Sequence, residues 1–284
     1  MASTEGLVEE SLALSDVEAA CALVAEAGWN QNAADWAIFR ELGSATAVKT
    51  GERRLVATAA TLPYASGFGW VSMVLVTGAF RRRGIATQLL KDCISRLRGA
   101  GMIPVLDATP AGREVYKPLG FRDGWPIQRW RRRIERDLPP AEGAREMRNE
   151  DWPRVLALDA AAFGCDRSPL LERLRARCAG FSCVVETDGR LRGFLLGREG
   201  RVATQLGPIV AEDEAAAPQL AAHAIARLRA PIILDALERH AGFASWLAAA
   251  GFERERPYTR MALGRDELFG DPDRTFAIAG PELG

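Results

Sequence analysis

The two halves of this 284-residue chain carry short motifs in a similar order, and this internal similarity constrains the fold more than any other feature. In the first half, Leu106-Asp107-Ala108 is followed by Gly120-Phe121; in the second, Leu234-Asp235-Ala236 is followed by Gly251-Phe252. Before each set lies an apolar run that ends in a valine, and then an amphipathic helical pattern. Duplication of one α/β unit explains this order; chance recurrence of short strand and helix signals is the alternative.

The two repeats differ in one place. From Val76 to Asp107 there are 31 positions, but from Val210 to Asp235 there are only 25. We expect the six missing residues to fall where the first half has a turn rich in arginine. At that place the second half has Ala-Glu-Asp-Glu, which is acidic and lacks glycine.

Strand and helix patterns predict α/β structure in both halves, and a length of 284 residues favours two domains. A linker-like stretch of Pro, Gly and charged residues at Asp137–Gly143 places the domains at 1–138 and 139–284. In the first half, helices are predicted at Asp16–Ala27, Asn32–Leu42, Thr87–Leu97 and Ala111–Leu119, and strands at Ala45–Lys49, Arg54–Leu62, Trp70–Val76, Ile103–Ala108 and Trp130–Ile134.

The arginine turn joins a strand to a helix, a geometry that directs backbone N–H groups at a phosphate. Cations before a helix N-terminus cost about 0.3–1 kcal/mol each, so these arginines are favourable only beside an anion. A solvated basic helix start and a nucleic-acid contact remain alternatives. The strings of a nucleotide-hydrolysing P-loop and of a dinucleotide fold are absent. The turn comprises Arg81, Arg82, Arg83, Gly84, Ile85, Ala86 and Thr87.

Two motifs carry a family resemblance. The turn and its flanks, from Val74 to Leu90, resemble the (Gln or Arg)-x-x-Gly-x-(Gly or Ala) motif of the GCN5-related N-acetyltransferase (GNAT) superfamily. Tyr116-Lys-Pro-Leu-Gly120-Phe121 resembles the Tyr-x-x-x-Gly-Phe motif of the same family, at the usual spacing. The whole chain also resembles a bacterial tandem subgroup with a degenerate second domain, through Gly28-Trp29-Asn30-Gln31 and Arg256-Pro-Tyr-Thr-Arg-Met261.

This resemblance implies an N-acetyltransferase that uses acetyl-CoA. It also implies two tandem GNAT-like domains of the α+β class, a fold of mixed α/β sheet and flanking helices in which two parallel strands splay apart to admit the pantetheine arm. Main-chain groups of the strand would bind the arm, and N–H groups from Arg82 to Thr87 would bind the pyrophosphate. Thr109 stands where the family often has an asparagine. The implied cofactor residues are Val74, Leu75, Val76, Arg81, Arg82, Arg83, Gly84, Ile85, Ala86, Thr87 and Thr109.

Tyr116 matches the tyrosine that gives a proton to the CoA thiolate in this family while a primary amine attacks the thioester directly. Packing at the end of a helix is the alternative role. Leu247 stands at its place in the second half. No general base is identifiable, and the parallel with Asp235 favours a structural role for Asp107; Glu52 and Glu114 are no better supported. The resemblance implies acceptor contacts at Trp29, Asn30, Gln31, Asp35 and Trp36, with core packing as the alternative.

The composition and net charge of the chain limit the kinds of binding partner that we expect. The 37 basic and 37 acidic residues cancel, so we expect no nucleic-acid partner, and the run Arg129–Arg133 should be a strand with a solvated face. No apolar run reaches membrane-spanning length, and five scattered cysteines suggest reduced thiols of a cytoplasmic protein. Two histidines leave too few ligands for a metal.

We therefore expect an acetyltransferase for a small-molecule or peptide amine, as a monomeric pseudo-dimer or a homodimer, with one cofactor per chain. A non-catalytic acetyl-CoA-binding sensor or interaction module is the alternative.

Overall fold

The computed structural model describes residues 6–134, 143–178 and 180–284. It divides into two compact units, one of Met1–Leu106 with Gly200–Val202, the other of Asp107–Glu199 with Ala203–Gly284. The predicted linker, apart from Gly143, and the predicted boundary after residue 138 lie outside the described residues.

In the first unit, three helices accompany a sheet of order β1-β2-β3-β4-β5. Its strands are antiparallel except for β4 and β5, which are parallel. The predicted strand at Ile103–Ala108 is confirmed at both ends, and its last two residues are counted in the second unit. The elements are β1 (Val8–Ser11), α1 (Val17–Glu26), α2 (Ala33–Leu42), β2 (Ser44–Lys49), β3 (Leu55–Tyr64), β4 (Phe68–Val76), α3 (Ile85–Gly99) and β5 (Ile103–Ala108).

Local sequence explains the helices of this unit. Asn32 caps α2, because its Oδ1 accepts a hydrogen bond from Ala34 N, while Asp35 Oδ2 accepts one from Asn32 N. α1 buries Ala20, Leu23 and Val24 and packs against β3 and β4. The predicted helices are confirmed, whereas β1 was not predicted because Val8 is its only apolar residue.

β4 and β5 pair over a short length. The parallel register joins Phe68–Trp70 to Ile103–Val105 and then ends. Beyond Trp70, the described residues give β4 a strand partner on its β3 side alone. The other edge of β4 therefore presents backbone groups that no strand pairs.

The second unit has the sheet order β12-β6-β11-β13-β10-β9-β8-β7. Helix α7 packs against β7, β8, β9 and β10, and α4 packs against β12. The elements are α4 (Pro110–Tyr116), β6 (Phe121–Arg132), β7 (Ala144–Glu146), α5 (Trp152–Phe163), α6 (Ser168–Ala176), β8 (Cys183–Thr187), β9 (Arg190–Glu199), β10 (Thr204–Ala211), α7 (Ala216–Ile225), β11 (Ile232–Leu237), α8 (Ala241–Ala249), β12 (Glu253–Leu263) and β13 (Thr275–Ala277).

The repeat continues into β6 and β12, which pair antiparallel. Ile127 and Tyr258 are Cα partners, and each lies six residues after the phenylalanine of its Gly-Phe motif. The pairing is thus close to two-fold symmetric within one chain.

Two buried ion pairs obey the same symmetry. Arg129 on β6 makes a bidentate contact with Asp235, at 2.7 and 2.8 Å, and Arg260 on β12 makes one with Asp107, at 2.9 Å for both bonds. The aspartate of each repeat therefore binds the arginine of the other. The predicted solvated face of Arg129–Arg133 is wrong for Arg129 and for Arg132, whose Nε donates to Ala250 O, because both are buried.

The second repeat is shorter than the first, but only part of the difference falls in the arginine turn, where it was predicted. The helix starts nine positions after Val76 in the first repeat and six after Val210 in the second. Three of the six missing residues therefore belong to the turn, as predicted. The other three are a net difference, because the second helix is five residues shorter, the loop after it is three residues longer and Asp235 comes one position earlier in its strand than Asp107; this is a correction.

Candidate functional site

The backbone of the turn between β4 and α3 is accessible and includes two residues in the left-handed conformation. It contains a 3-10 turn at Gly78–Phe80, and Arg82 and Gly84 both have left-handed φ angles, of 59° and 81°. A Cβ on Gly84 would have no neighbour within 4 Å. Left-handed residues in a turn direct successive N–H groups into one concavity, which is a common anion-binding arrangement.

The N-terminus of α3 is uncapped. Gly84 at the N-cap provides no side chain that could accept from the first N–H groups, and the first turn contains no acidic residue. Ala86 and Thr87 are exposed. Since the first N–H groups of a helix have no partner within it, those of Ile85, Ala86 and Thr87 are available to an anion.

Two of the three arginines hold the turn in shape. Arg81 Nε donates to Val76 O at 3.0 Å, and its Nη2 lies 3.3 Å from Glu26 Oε1. Arg83 Nη2 donates to Ala79 O at 3.0 Å, and its guanidinium lies over the Phe80 ring. The Arg82 side chain has no polar partner within the described ranges.

Glu26, at the end of α1, is a residue that sequence reasoning missed. Its carboxylate accepts hydrogen bonds from Thr77 Oγ1 at 2.7 Å and from Gly78 N at 2.6 Å. These bonds and Arg81 lower the pKa of Glu26. It ties α1 to the start of the turn, and no local pattern could have revealed this, because Glu26 lies 51 residues from Thr77.

The end of β4 supplies a second feature. Met73 has a φ of 54°, and the register between β3 and β4 shifts at this point, between Thr58 and Ala60. Thr58 Oγ1 donates to Met73 O at 2.9 Å. This bulge was not predicted. It lies directly before Val74, Leu75 and Val76, of which Leu75 is buried and the two valines are half-buried.

The predicted residues Thr109 and Tyr116 lie in the second unit, at the two ends of α4. Thr109 caps the helix, since its Oγ1 accepts from Gly112 N at 3.2 Å. Tyr116 is half-buried, with its ring 6.0 Å from that of Phe121, and burial raises the pKa of its hydroxyl. That hydroxyl has no hydrogen-bond partner in the part of the chain that the structure describes.

The predicted acceptor residues fall into two groups. Trp29, Asn30 and Gln31 lie in the irregular segment between α1 and α2, in which Trp29 is half-buried and the other two are buried. Asp35 is a buried capping residue, and Trp36 is buried with its ring edge-on to Phe39. Capping and core packing account for Asp35 and Trp36.

Asp107 is fully buried against Arg260, which favours the structural role over that of a base. Glu52 and Glu114 are exposed.

The corresponding turn of the second half is closed by its own side chains. Asp213 Oδ1 accepts from Ala215 N and Ala216 N, both at 3.0 Å, at the start of α7. Glu212 binds Arg190 and Arg192, and Glu214 Oε1 accepts from Gly242 N. These N–H groups therefore already have an acidic partner.

The strands of the second half diverge as well, but the gap is filled. β10 and β11 pair in parallel over Thr204–Leu206 and Ile232–Leu234. β13 then pairs antiparallel with both, through Ile209 and Val210 on β10 and Ala236 on β11. An extended segment of the chain therefore lies where the two strands have separated.

Within the described ranges, no cluster of three His, Cys, Asp or Glu side chains could hold a metal ion, and no helix is both long and apolar enough to cross a membrane. The five cysteines are all described, and none forms a disulfide; Cys21 is half-buried and the others are buried.

Two family models match the chain. The one described as "Acetyltransferase (GNAT) family" matches residues 15–121, and the one described as "Acetyltransferase (GNAT) domain" matches residues 155–277.

Similar proteins have related names. A protein of Bacillus subtilis called "Uncharacterized N-acetyltransferase YitH" is 25% identical over 195 residues, which are 65% of this chain and 66% of that protein, just under two thirds of its length. The "Holothin acyltransferase" of a Pseudoalteromonas species is 24% identical over 81% of this chain and 78% of its own length. A putative acetyltransferase from Pyrococcus horikoshii has a similar structure, with a TM-score of 0.83 at 21% identity over 100% of this chain and 98% of that one.

Proposed function

Because this chain belongs to the GNAT acetyltransferase family, with two GNAT domains in tandem, we propose that it is an N-acetyltransferase that moves the acetyl group of acetyl-CoA to a primary amine by direct attack. The observation that carries the proposal is the uncapped N-terminus of α3, which follows the glycine turn at the end of β4. The contrast with α7, where acidic side chains take the corresponding N–H groups, supports it.

The residues of the turn fit a pyrophosphate. N–H groups from Arg82 to Thr87 would bind its oxygens, with the favourable end of the helix dipole behind them. Gly84 leaves room for close approach of the phosphates. Arg82 would add charge, while Arg81 and Arg83 would act mainly by holding the turn.

The free edge of β4 fits an extended ligand that carries amides. Unpaired backbone groups beyond Trp70 can bond such a ligand as they would bond a strand. The second unit supplies a precedent, because β13 bonds diverging strands in this manner. The pantetheine arm has two amides, so we assign Val74 and Val76 to its main-chain contacts.

Tyr116 would provide the proton that the CoA thiolate needs. Acetyl-CoA supplies an activated thioester, and its departing sulfur requires an acid. The raised pKa of Tyr116 keeps its Oη protonated at neutral pH, which is the state that an acid must have. The half-buried position of the phenol limits competition from water.

We also propose that one acetyl-CoA binds per chain. In the second half, Asp213 caps α7 and β13 lies between the diverging strands, so the pyrophosphate and the arm both lack a place. This half would then serve as a scaffold.

Release of CoA thiol tests the function. The protein and acetyl-CoA are mixed with one amine in each reaction. The amines are spermidine, glucosamine, kanamycin, holothin and a tripeptide that has a free N-terminus. Holothin is included because one relative's name refers to it. Thiol release that depends on an amine supports an acetyltransferase. Acetyl-CoA binding without thiol release for any amine supports the non-catalytic sensor instead. The sensor is considered because no general base has been identified. Absence of acetyl-CoA binding contradicts both.

A further inference from the structure

Helix α1 ends in a motif that fixes the residues directly after it. Gly28 has a left-handed φ of 69°, and its N donates to Ala25 O at 3.0 Å. Trp29 N donates to Val24 O, also at 3.0 Å. These two bonds form a Schellman motif, which is a common way for a glycine to end a helix. The position of Trp29 is therefore coupled to that of the last turn of α1, which contains Glu26.

A loop from the second half of the sequence holds the chain just after this motif. Gly200–Val202, the tip of the hairpin between β9 and β10, belongs to the first compact unit, and we call these three residues the hairpin tip. Arg201 N donates to Asn30 O at 2.6 Å, and Val202 N donates to Asn30 Oδ1 at 3.0 Å. Arg201 Nε also donates to Trp29 O at 3.0 Å. Trp29 is therefore bonded to α1 through its N–H and to the hairpin tip through its carbonyl oxygen.

The fit between the hairpin tip and Asn30 is tight. A Cβ on Gly200 would overlap the Asn30 side-chain amide, which is itself only 4% exposed. Because Asn30 Oδ1 is bonded to Val202 N, the amide cannot turn away without losing that bond. Any side chain at position 200 must therefore displace Asn30.

Glu26, in the last turn of α1, holds the start of the turn between β4 and α3. Its carboxylate accepts from Thr77 Oγ1 at 2.7 Å and from Gly78 N at 2.6 Å. Gly78 begins the 3-10 turn that leads to the arginine turn, and the side chain of Thr77 does not cap it. Glu26 thus supplies, from a distant part of the sequence, the partner that this N–H lacks in its own segment.

These contacts connect the hairpin tip to the turn within one compact unit. The tip bonds Trp29, Trp29 bonds the last turn of α1, and Glu26 in that turn bonds Thr77 and Gly78. The ends of helices fray, so an anchor just beyond α1 also restrains the carboxylate of Glu26. Binding groups need such support, because N–H groups that face a ligand act only when the surrounding contacts hold them in place.

We infer that the hairpin tip is a positioning element for acetyl-CoA binding. It holds the end of α1, and Glu26 then holds the turn whose N–H groups bind the pyrophosphate. This inference rests on the proposed function. It gives a loop of the second half a specific task beyond that of a scaffold, and neither Glu26 nor the hairpin tip is assigned a contact with the reacting atoms.

The Kd of acetyl-CoA, measured by titration calorimetry without any amine, tests the inference. Gly200→Ala should raise this Kd about fivefold, an effect of the size expected within one hydrogen-bonded network. Gly51→Ala is the matched control and should bind as wild type, since a Cβ there would meet nothing within 4 Å and neither glycine has a positive φ. Because no amine is present, a change in Kd cannot come from an acceptor contact.

A double-mutant cycle with Glu26→Ala tests whether the hairpin tip acts through Glu26. Glu26→Ala removes the bonds to Thr77 and Gly78 and also releases Arg81, so its own effect on the Kd combines a less ordered turn with a freer cation. The informative quantity is the effect of Gly200→Ala in this background. We expect it to fall below about twofold, because the connection to the turn is already broken.

Arg201→Lys is a second variant, for use if Gly200→Ala lowers the Tm below the temperature of the titration. Lysine retains the positive charge but places a methylene where arginine has Nε, so the bond to Trp29 O is lost. We expect the Kd of acetyl-CoA to rise about threefold, and this effect should also disappear in the Glu26→Ala background.

Other results would overturn the inference. A Kd that is unchanged in both Gly200→Ala and Arg201→Lys does so, as do equal effects of Gly200→Ala and Gly51→Ala. An effect of the same size with and without Glu26 shows that the hairpin tip does not act through this residue. A Kd that changes only in proportion to the unfolded fraction leaves the tip a structural role alone. Failure of the proposed function is distinguishable, because the wild-type protein would then bind no acetyl-CoA or release no thiol with any amine.

Discussion

The segments β4–turn–α3 and β10–turn–α7 share an order of elements but treat the start of the helix in opposite ways. α3 follows a left-handed glycine that provides no capping side chain, and Ala86, Thr87 and Gln88 in its first turn are exposed. Asp213 caps the start of α7, and eight of the ten residues of this helix are buried. On the proposed function, the first N–H groups of α3 bind an external anion, whereas those of α7 already bind the chain's own carboxylate.

The strands before these helices differ in the same sense. β4 leaves β5 after three paired residues and keeps an edge without a strand partner, whereas the gap between β10 and β11 receives β13. The residues around β13 are deeply buried, and His240 stacks on Phe276 with 3.9 Å between ring centroids. The second half has thus replaced both features that would bind a cofactor with internal contacts.

On the proposed function, the duplicated fold retains its framework in both halves but has a cofactor site in the first half alone. The framework is the pair of symmetric contacts Asp107–Arg260 and Asp235–Arg129. The proposed site is a turn and a strand edge, which can change without disturbing those contacts.

The largest expected effect concerns the framework. Asp107→Ala and Asp235→Ala should each reduce the free energy of unfolding by about 3–5 kcal/mol, because each leaves a buried arginine uncompensated. Urea denaturation measures this. Asp266→Ala is the control, since the exposed pair with Arg122 contributes little. A small loss for one aspartate and a large loss for the other would break the equivalence of the repeats.

Substitution of Tyr116 tests whether the first half alone supplies a catalytic acid, since Leu247 stands at the matching position of the second half. Tyr116→Phe should lower kcat about 100-fold through loss of the acid, with the Kd of acetyl-CoA unchanged. Tyr258→Phe, on β12, is the control and should retain kcat. Because burial raises the pKa of Tyr116, the phenol stays protonated as pH increases through neutrality. Loss of wild-type kcat from its deprotonation should therefore occur only above about pH 10. An unaltered kcat in Tyr116→Phe would remove it from the mechanism.

Substitution of Gly84 tests whether the turn binds the pyrophosphate of acetyl-CoA. Gly84→Asp should weaken acetyl-CoA binding about 30-fold, or about 2 kcal/mol, because it strains a left-handed residue and adds a carboxylate beside the phosphates. Gly101→Asp is a matched control, since its φ of 73° is similar and a Cβ there also meets open space. Titration calorimetry measures both variants. Equal binding by the two would place the pyrophosphate elsewhere.

Asp213 tests whether the second half is closed by its cap alone. Asp213→Ala should destabilise the protein by about 1 kcal/mol through loss of the cap. Calorimetry should still find one acetyl-CoA per chain, because β13 remains between β10 and β11. A second equivalent in this variant would show that the cap is the main block, and two in the wild type would contradict the comparison.

The smallest effect is expected at Arg82. Its side chain has no polar partner among the described residues, so Arg82→Ala should weaken acetyl-CoA binding less than about threefold at physiological salt. Arg81→Ala should weaken it more, since Arg81 also bonds Val76 and Glu26. The reverse order would assign the phosphate contact to Arg82 and sharpen the account of the turn.

Local patterns were sufficient for much of the fold. The pattern of apolar residues predicted α1, α2, α3 and β5. A helix or strand that buries one face has apolar residues at the period of that structure, so the pattern can be read from sequence. The glycine turn and the motif that ends in Phe121 were enough to identify the family. The acidic residues after Val210 also indicated correctly that the two turns differ.

The tertiary structure alone decided which contacts those elements make. The contacts of Glu26 with Thr77, of Arg260 with Asp107 and of Val202 with Asn30 join residues 51, 153 and 172 positions apart. The sequence could not distinguish a solvated arginine from Arg129, nor show that β13 lies between diverging strands. Periodicity reports whether a residue is buried against something, but the identity of the partner depends on how the whole chain packs.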